Sequence, residues 1–224
     1  MSAPQHTVAL VLAAGAGSRL GGLPKCLIRL GGQTLLQRLM DALASLGIDD
    51  VRVVVGHHAE AIAAQVHELA PNRRPVLLRN PAPGEEPADS LRVGLRSLTD
   101  MPQRLLVLLG DLPELGAPHI AAALAAFDAR DPAQHALVPL VDGEPGHPAV
   151  LDAAACALLR NQSGGLRAWR RAQPEQVALW RTADAAHVRD LDTPEDLAAL
   201  ARRTGLAVAL PALASQPPRR APSA

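Results

Sequence analysis

The sequence predicts an α/β fold in three layers, α/β/α, built on a mostly parallel sheet. Two observations carry that prediction. Short runs rich in Val and Leu have the length of buried strands, and segments of helical period separate each from the next. Regular alternation of this kind is the pattern of a parallel sheet with helices on both faces. Apolar residues are 48% of the 224, mostly Ala, Leu and Val, so a substantial core is available. A chain of this length suggests one domain.

The first strand is expected at residues 8–12. Nothing basic precedes this apolar stretch and Arg19 follows it closely, so a buried strand explains it better than a secretory signal. Strands are then expected at 51–55, 76–79, 105–109 and 136–140, and helices at 35–46, 59–69, 90–98 and 118–129. Past Leu140 the rhythm changes. Residues 141–150 contain Gly143, Pro145, Gly146 and Pro148 and read as a loop or hairpin that closes over a ligand. Residues 177–180 form one more expected strand. The last expected helix is 193–203, with Thr193 as N-cap, Pro194 at its first position and acids in its first turn. The domain is expected to span 1–203. Residues 204–224 form a C-terminal extension, expected to be disordered from about 211, where Pro, Ser, Ala and Arg dominate.

Bulk charge narrows the function classes. Lys plus Arg and Asp plus Glu number 22 each, so no general field attracts nucleic acid or an acidic membrane. No stretch approaches the roughly 20 apolar residues of a membrane helix. Cys26 and Cys156 give no disulfide framework and fit a reducing compartment. The expectation is a soluble, cytoplasmic protein with neither nucleic-acid nor membrane partners.

In parallel sheets, ligands bind beyond the carboxyl ends of the strands. The loop after the first strand, from Leu12, Ala13, Ala14, Gly15, Ala16 and Gly17 through Arg19 to Pro24-Lys25, is therefore the strongest signal. Glycines at 15 and 17 permit φ > 0 and close backbone approach, and successive N–H groups in such a loop form an anion site. Arg19 and Lys25 add positive charge at the rim, a combination that suits a triphosphate. A dinucleotide loop would need its third glycine one place earlier and an acid at the end of the second strand, where Val55-Gly56-His57-His58 stands. A Walker A loop would need Gly-Lys-Ser/Thr, and Lys25 lies between Pro24 and Cys26. A purely structural glycine turn is the remaining alternative. Asp111 directly follows the strand at 105–109; a carboxylate there can hold Mg²⁺, and the competing reading is a plain Gly-Asp turn.

The segment LAAGAGSRLGGLPK, followed by Leu30-Gly31-Gly32-Gln33-Thr34-Leu35-Leu36, resembles the MobA-like NTP-transferase family, typified by the molybdenum-cofactor nucleotidyltransferases. The resemblance continues through Gly110-Asp111-Leu112-Pro113, Gly146-His147-Pro148 and Asp190-Leu191-Asp192-Thr193-Pro194-Glu195-Asp196, in order. It implies a Rossmann-like fold of the nucleotide-diphospho-sugar transferase type. The implied activity is Mg²⁺-dependent transfer of a nucleoside monophosphate from an NTP to a phosphate-bearing acceptor, with release of pyrophosphate. The resemblance places a second metal carboxylate at Asp192, with Asp190 as the other candidate. It places nucleoside contacts at Asn80 and Ser90, and an acceptor-side residue at His147.

Leu-Ala-Ala-Gly resembles the cytidylyl (MocA-like) branch, whose implied substrates are CTP and molybdopterin and whose implied partner is a molybdenum hydroxylase or its accessory protein. Two departures bear on the acceptor. The branch's serine pair is replaced by Ala88-Asp89-Ser90, and its Gly-Asp before a Gly-Ala-Arg stretch by Gln162-Ser163-Gly164-Gly165-Leu166-Arg167. Transfer to a sugar 1-phosphate or other phosphorylated small molecule is one alternative. A non-catalytic chaperone that binds the molybdenum cofactor is another. Of the eight histidines, His57, His58, His67 and His119 are expected at surface or packing positions.

Overall fold

The computed structural model describes residues 6–84 and 87–211. Strand β1 (Thr7–Ala13) leads through two short 3₁₀ turns to a hairpin, β2 (Arg29–Leu30) and β3 (Gln33–Thr34), and then helix α1 (Leu35–Ser45). Strand β4 (Asp50–Val55), helix α2 (Ala59–His67), strand β5 (Val76–Arg79), helix α3 (Pro87–Arg96), strand β6 (Arg104–Leu109) and helix α4 (Ala117–Asp128) continue the alternation. The expected strands and helices of this half all form, with ends within a few residues of those read from periodicity.

The second half departs from simple alternation. Strand β7 (Ala136–Val141) turns into β8 (Glu144–Pro145), and strand β9 (Ala149–Leu151) follows. Helices α5 (Ala153–Leu159) and α6 (Gly165–Ala172), strand β10 (Val177–Arg181), helix α7 (Pro194–Thr204) and strand β11 (Val208–Ala209) complete the described chain. The expected loop or hairpin at 141–150 is a β7–β8 hairpin that runs on into a central strand. With three residues, β9 is too short to show periodicity, yet it is wholly buried between β6 and β7 and antiparallel to both.

The main sheet runs β10-β7-β9-β6-β1-β4-β5, with β8 paired to β7. The β1–β4, β1–β6, β4–β5 and β7–β10 pairs are parallel. Alternation along β1 sends Ala9 and Val11 to the face covered by α1, α2 and α4, and Val8, Leu10 and Leu12 to the face covered by α3, α5 and α6. Gly94 lets α3 press on β1, since a Cβ there would lie 2.3 Å from Leu10. This is the three-layer arrangement read from the sequence.

A smaller sheet, β11-β2-β3, lies beside the main body. Its Leu30 joins Leu20, Ile28, Leu35, Leu191 and Leu200 in a third apolar cluster. That cluster fastens the start of α7 to the loop that follows β1, so two distant parts of the sequence meet at one edge of the sheet. The expected disordered tail lies outside the described residues except for Pro211. No helix among the described residues is long and apolar enough to cross a membrane.

Candidate active site

A cavity of about 300 Å³ opens beyond the carboxyl ends of β1 and β6. Leu12, Ala13, Ala14, Gly15, Gly17 and Lys25 line it together with Gly110, Asp111 and Asp190, and Ser90 is contributed by α3. Gly17 has φ 64 and caps the first 3₁₀ turn; a Cβ on it would lie 2.0 Å from the Leu23 carbonyl oxygen, so this glycine is obligatory. Gly15 differs from the sequence expectation. It is not in the positive-φ region, and nothing stands within 4 Å of where its Cβ would be. What its missing side chain leaves is open space at the cavity wall.

Lys25 begins a second 3₁₀ turn, Lys25–Leu27, held by buried Cys26, Leu27 and Ile28. Burial raises the Cys26 thiol to about 12, so it is a packing residue and not a nucleophile. The Lys25 ammonium donates to Asp111 Oδ2 at 3.0 Å and to Asp192 Oδ1 at 2.5 Å. Arg19 pairs with the other oxygen of Asp192. The Lys25 and Asp111 side chains are only 19% and 20% exposed, so solvent screens their contact weakly.

The titration directions follow from this arrangement. Burial works against the Lys25 charge, but Asp111 and Asp192 outweigh it and hold the amine above its ordinary value. Hydrogen bonding from Lys25, and then the charges of Lys25 and Arg19, hold Asp192 below the usual carboxylate range against a smaller cost of burial. Asp190 goes the other way: desolvation, and then the negative charges of Asp111 and Asp192, push its carboxyl up. Three carboxylates thus gather around one ammonium and a neighbouring guanidinium. Among the described residues no group of three His, Cys, Asp or Glu side chains could hold a metal on its own. Two carboxylates that converge on one cation do suit Mg²⁺, which takes one or two carboxylates and fills its shell with water and phosphate oxygens.

Asp192 owes its position to the helix start read from the sequence. The Thr193 hydroxyl accepts from the Asp196 N–H, and Asp196 Oδ2 accepts from the backbone N–H groups of Thr193 and Asp192 at 2.7 and 3.0 Å. The capping box therefore fixes the carboxylate-bearing residue next to it. Glu114 in the loop after Asp111 pairs with Arg203 at the far end of α7.

The other expected site residues divide. Asn80 is buried behind the cavity wall, where its amide donates to Ser90 Oγ at 3.2 Å and its oxygen accepts from the Ala82 N–H. Ala16 is exposed, and its carbonyl oxygen faces His58 Nε2 at 3.0 Å. His147 lines a second cavity, of about 350 Å³, that shares Leu12 and Pro87 with the first. Its Nδ1–H donates to the Val107 carbonyl, and burial holds the ring below its ordinary pKa, so it is neutral. Buried His187 donates from Nδ1 to the His147 carbonyl oxygen and steadies that turn. The same second cavity is lined by Arg167 and Arg170 of α6, which were not among the expected site residues. Their Arg-x-x-Arg spacing, which puts both on one helix face, was the available signal.

The fold and this site define a class, the α/β proteins of the nucleotide-diphospho-sugar transferase type. The chain belongs, more particularly, to the MobA-like NTP transferase domain family, whose model matches residues 9–178. It is 34% identical over 154 residues to the bifunctional protein GlmU of Mycobacterium avium, across 67% of this chain and 31% of that protein. Over 135 residues it is 36% identical to GlmU of Paracoccus denitrificans, across 56% of this chain and 30% of that protein. The chain thus spans about a third of the length of these curated relatives. Among solved structures, a homologue of Mycobacterium tuberculosis Rv0371c from Mycobacterium sp. strain JC1 superposes with a TM-score of 0.68 at 26% identity, covering 89% of this chain and 96% of that one. A nucleotidyl transferase from Methanothermobacter thermautotrophicus superposes with a TM-score of 0.69 at 21% identity, over 88% of this chain and 97% of that one.

Proposed function

We propose that the chain is a Mg²⁺-dependent nucleotidyltransferase that transfers CMP from CTP to a phosphate-bearing acceptor, molybdopterin being the leading candidate. The observation that carries this reading is the Lys25 ammonium held between Asp111 and Asp192 at the mouth of the glycine-loop cavity. Family membership supports the reaction class. The Leu-Ala-Ala-Gly start of the loop supports the base. A manganese complex of M. tuberculosis Rv0371c, a protein of this fold, supports a divalent ion.

Asp111 and Asp192 would hold the ion, with Asp190 beside them. When bound, it would neutralise charge on the triphosphate oxygens. The rest falls to the protein. The acceptor's phosphate is largely ionised near neutral pH, its second pKa being about 6, so no general base is needed. An oxygen of that phosphate attacks the α-phosphorus, a new P–O bond forms, and the bond to the leaving pyrophosphate breaks. The Lys25 ammonium takes up the charge that builds on the α-phosphate. Arg19, exposed at the rim, neutralises the outer phosphates. The walls of the cavity hold the reactants in line. His147 serves the acceptor side from the neighbouring cavity.

A second reading, transfer to a sugar 1-phosphate or another phosphorylated small molecule, is favoured by the match to the bifunctional GlmU proteins. Pyrophosphate release measured for the four NTPs, each with molybdopterin and with sugar 1-phosphates, tests both. The expected result is turnover with CTP at least tenfold better in kcat/KM than with GTP, about 1.4 kcal/mol of discrimination. A preference for GTP sinks the cytidylyl assignment, and turnover with sugar 1-phosphates alone transfers the acceptor to the second reading.

A further inference from the structure

The second cavity has a chemistry unlike the first. Where the first presents Lys25 together with Asp111 and Asp190, the second presents Arg167 and Arg170 and, among the described residues, no carboxylate in its lining. Among the described residues, Arg167, Arg170 and their neighbour Arg171 form no ion pair. Burial, and then the like charges of Arg167 and Arg171, hold the Arg170 guanidinium below its ordinary pKa. Positive charges brought together at one wall, with no ion pair to an acid among the described residues, favour an anion there.

The position of α6 is built, not incidental. Gly164 and Gly165 start the helix at φ 86 and 60, and a Cβ on Gly165 would lie 2.9 Å from that of Ala88 on α3. Trp169 is buried beneath the helix, its indole N–H donating to Gln173 at 3.0 Å. Three residues apart, Arg167 and Arg170 then share the face turned to the cavity. The rest of the wall is mostly apolar: Leu12, Leu91, Val107, Val138, Ala149 and Leu166. Hydroxyls buried there would go without partners, which costs free energy at each one. The His147 ring spends its Nδ1–H on Val107, which leaves one acceptor nitrogen for a ligand N–H.

We propose that Arg167 and Arg170 are the acceptor-recognition residues, gripping the anionic group of a flat-ringed phosphate ester whose ring lies on the apolar wall. This deepens the transferase reading and rests on it: the two cavities share Leu12 and Pro87, so an acceptor held in the second lies beside the first. The planar forked guanidinium suits phosphate better than an ammonium does. The same wall selects against a polyhydroxylated sugar phosphate.

Calorimetric titration tests this without turnover. Phenyl phosphate serves as the flat-ringed probe, glucose 1-phosphate as the hydroxylated one, and CTP with Mg²⁺ as the first-cavity control. Wild type is expected to bind phenyl phosphate at least tenfold more tightly than glucose 1-phosphate. The double variant Arg167→Gln/Arg170→Gln should lose at least tenfold in phenyl phosphate affinity while CTP affinity stays within about twofold. Arg171→Gln, which alters a neighbouring charge outside the lining, should leave both unchanged. Glutamine keeps length and helix propensity, and Trp169 emission reports whether α6 stays docked. Unchanged phenyl phosphate affinity in the double variant overturns the proposal, as does equal loss in Arg171→Gln or tighter binding of glucose 1-phosphate. Failure of wild type to bind CTP would instead count against the nucleotide reading and leave the phenyl phosphate comparison standing.

Discussion

Lys25 and Gly17 show how single positions make this site. Lys25 supplies a charge that two distant carboxylates hold in place; Gly17 supplies a backbone turn that no other residue can make. Gly17→Ala would force a side chain into φ 64 and against the Leu23 carbonyl. The expected cost is about 2 kcal/mol or more, a melting point lower by roughly 4–8 °C. Gly21→Ala is the contrast: its φ is 72, but nothing stands within 4 Å of its Cβ, so it should cost about half as much. Thermal melts of both variants check this, and equal losses would show that the Leu23 contact does not matter. At this scale the sequence was informative where chemistry is local. Arg19, Lys25 and Asp111 could be marked because their loops follow strands. Asp190 was harder to separate from Asp192, because the three-dimensional position of the ammonium divides their roles: Asp192 grips it, whereas Asp190 lines the cavity with its carboxyl raised. Arg167 and Arg170 carried one signal, their Arg-x-x-Arg spacing, but the direction in which α6 faces is set by tertiary packing.

Helix α7 carries the second metal-site candidate to the first, and its two ends are anchored differently. Its start is the capping box that places Asp192; its end is tied to the loop after Asp111 by the Glu114–Arg203 pair. The Arg203 hydrogen bond, opposed by burial and aided by the Arg203 and Arg189 charges, holds Glu114 below the ordinary carboxylate range. A carboxylate whose folded pKa is depressed adds stability above its unfolded pKa of about 4.3 and loses it as pH falls through the folded value. Glu114→Gln should therefore cost about 0.5–1 kcal/mol at pH 7, as partly exposed pairs do. The difference from wild type should fade below about pH 4, where the wild-type carboxylate begins to take up its proton. Urea melts at several pH values check this; a cost that is independent of pH would assign the effect to packing. The cap was legible because Thr-Pro-Glu-Asp is a local signal. Helices α5 and α6 were not: α5 is seven residues, all apolar, so it has no polar face to set a period, and α6 is eight residues with one short apolar pair, Leu166 and Trp169, among its arginines. Strand β9 was hidden for the same reason, with tertiary pairing to β6 and β7 overriding a loop-like composition.

For the whole molecule, three-layer order came through because every crossover in the first half is a strand, a helix and a strand of ordinary length. The antiparallel insertion of β9 is what the alternation could not convey. The domain is proposed to reach Arg203, with the extension beyond it laid on the body where β11 pairs with β2. Residues 217–224, which lie outside the described structure, show no apolar periodicity. Deleting them should leave the melting point within about 1 °C of wild type and activity unchanged. A drop of several degrees would show that the tail packs on the domain. The central claim is that one charge centre, Lys25 between Asp111 and Asp192, drives transfer at the α-phosphate. Its most direct test is kcat for pyrophosphate release from CTP, with the acceptor found to turn over, in wild type, Lys25→Ala and Asp111→Ala across an Mg²⁺ titration. With folding confirmed by circular dichroism, each variant should lose about 10²–10³ in kcat, roughly 2.7–4 kcal/mol. Excess Mg²⁺ should partly restore Asp111→Ala and leave Lys25→Ala unrescued. Turnover by either folded variant within a fewfold of wild type would contradict the account.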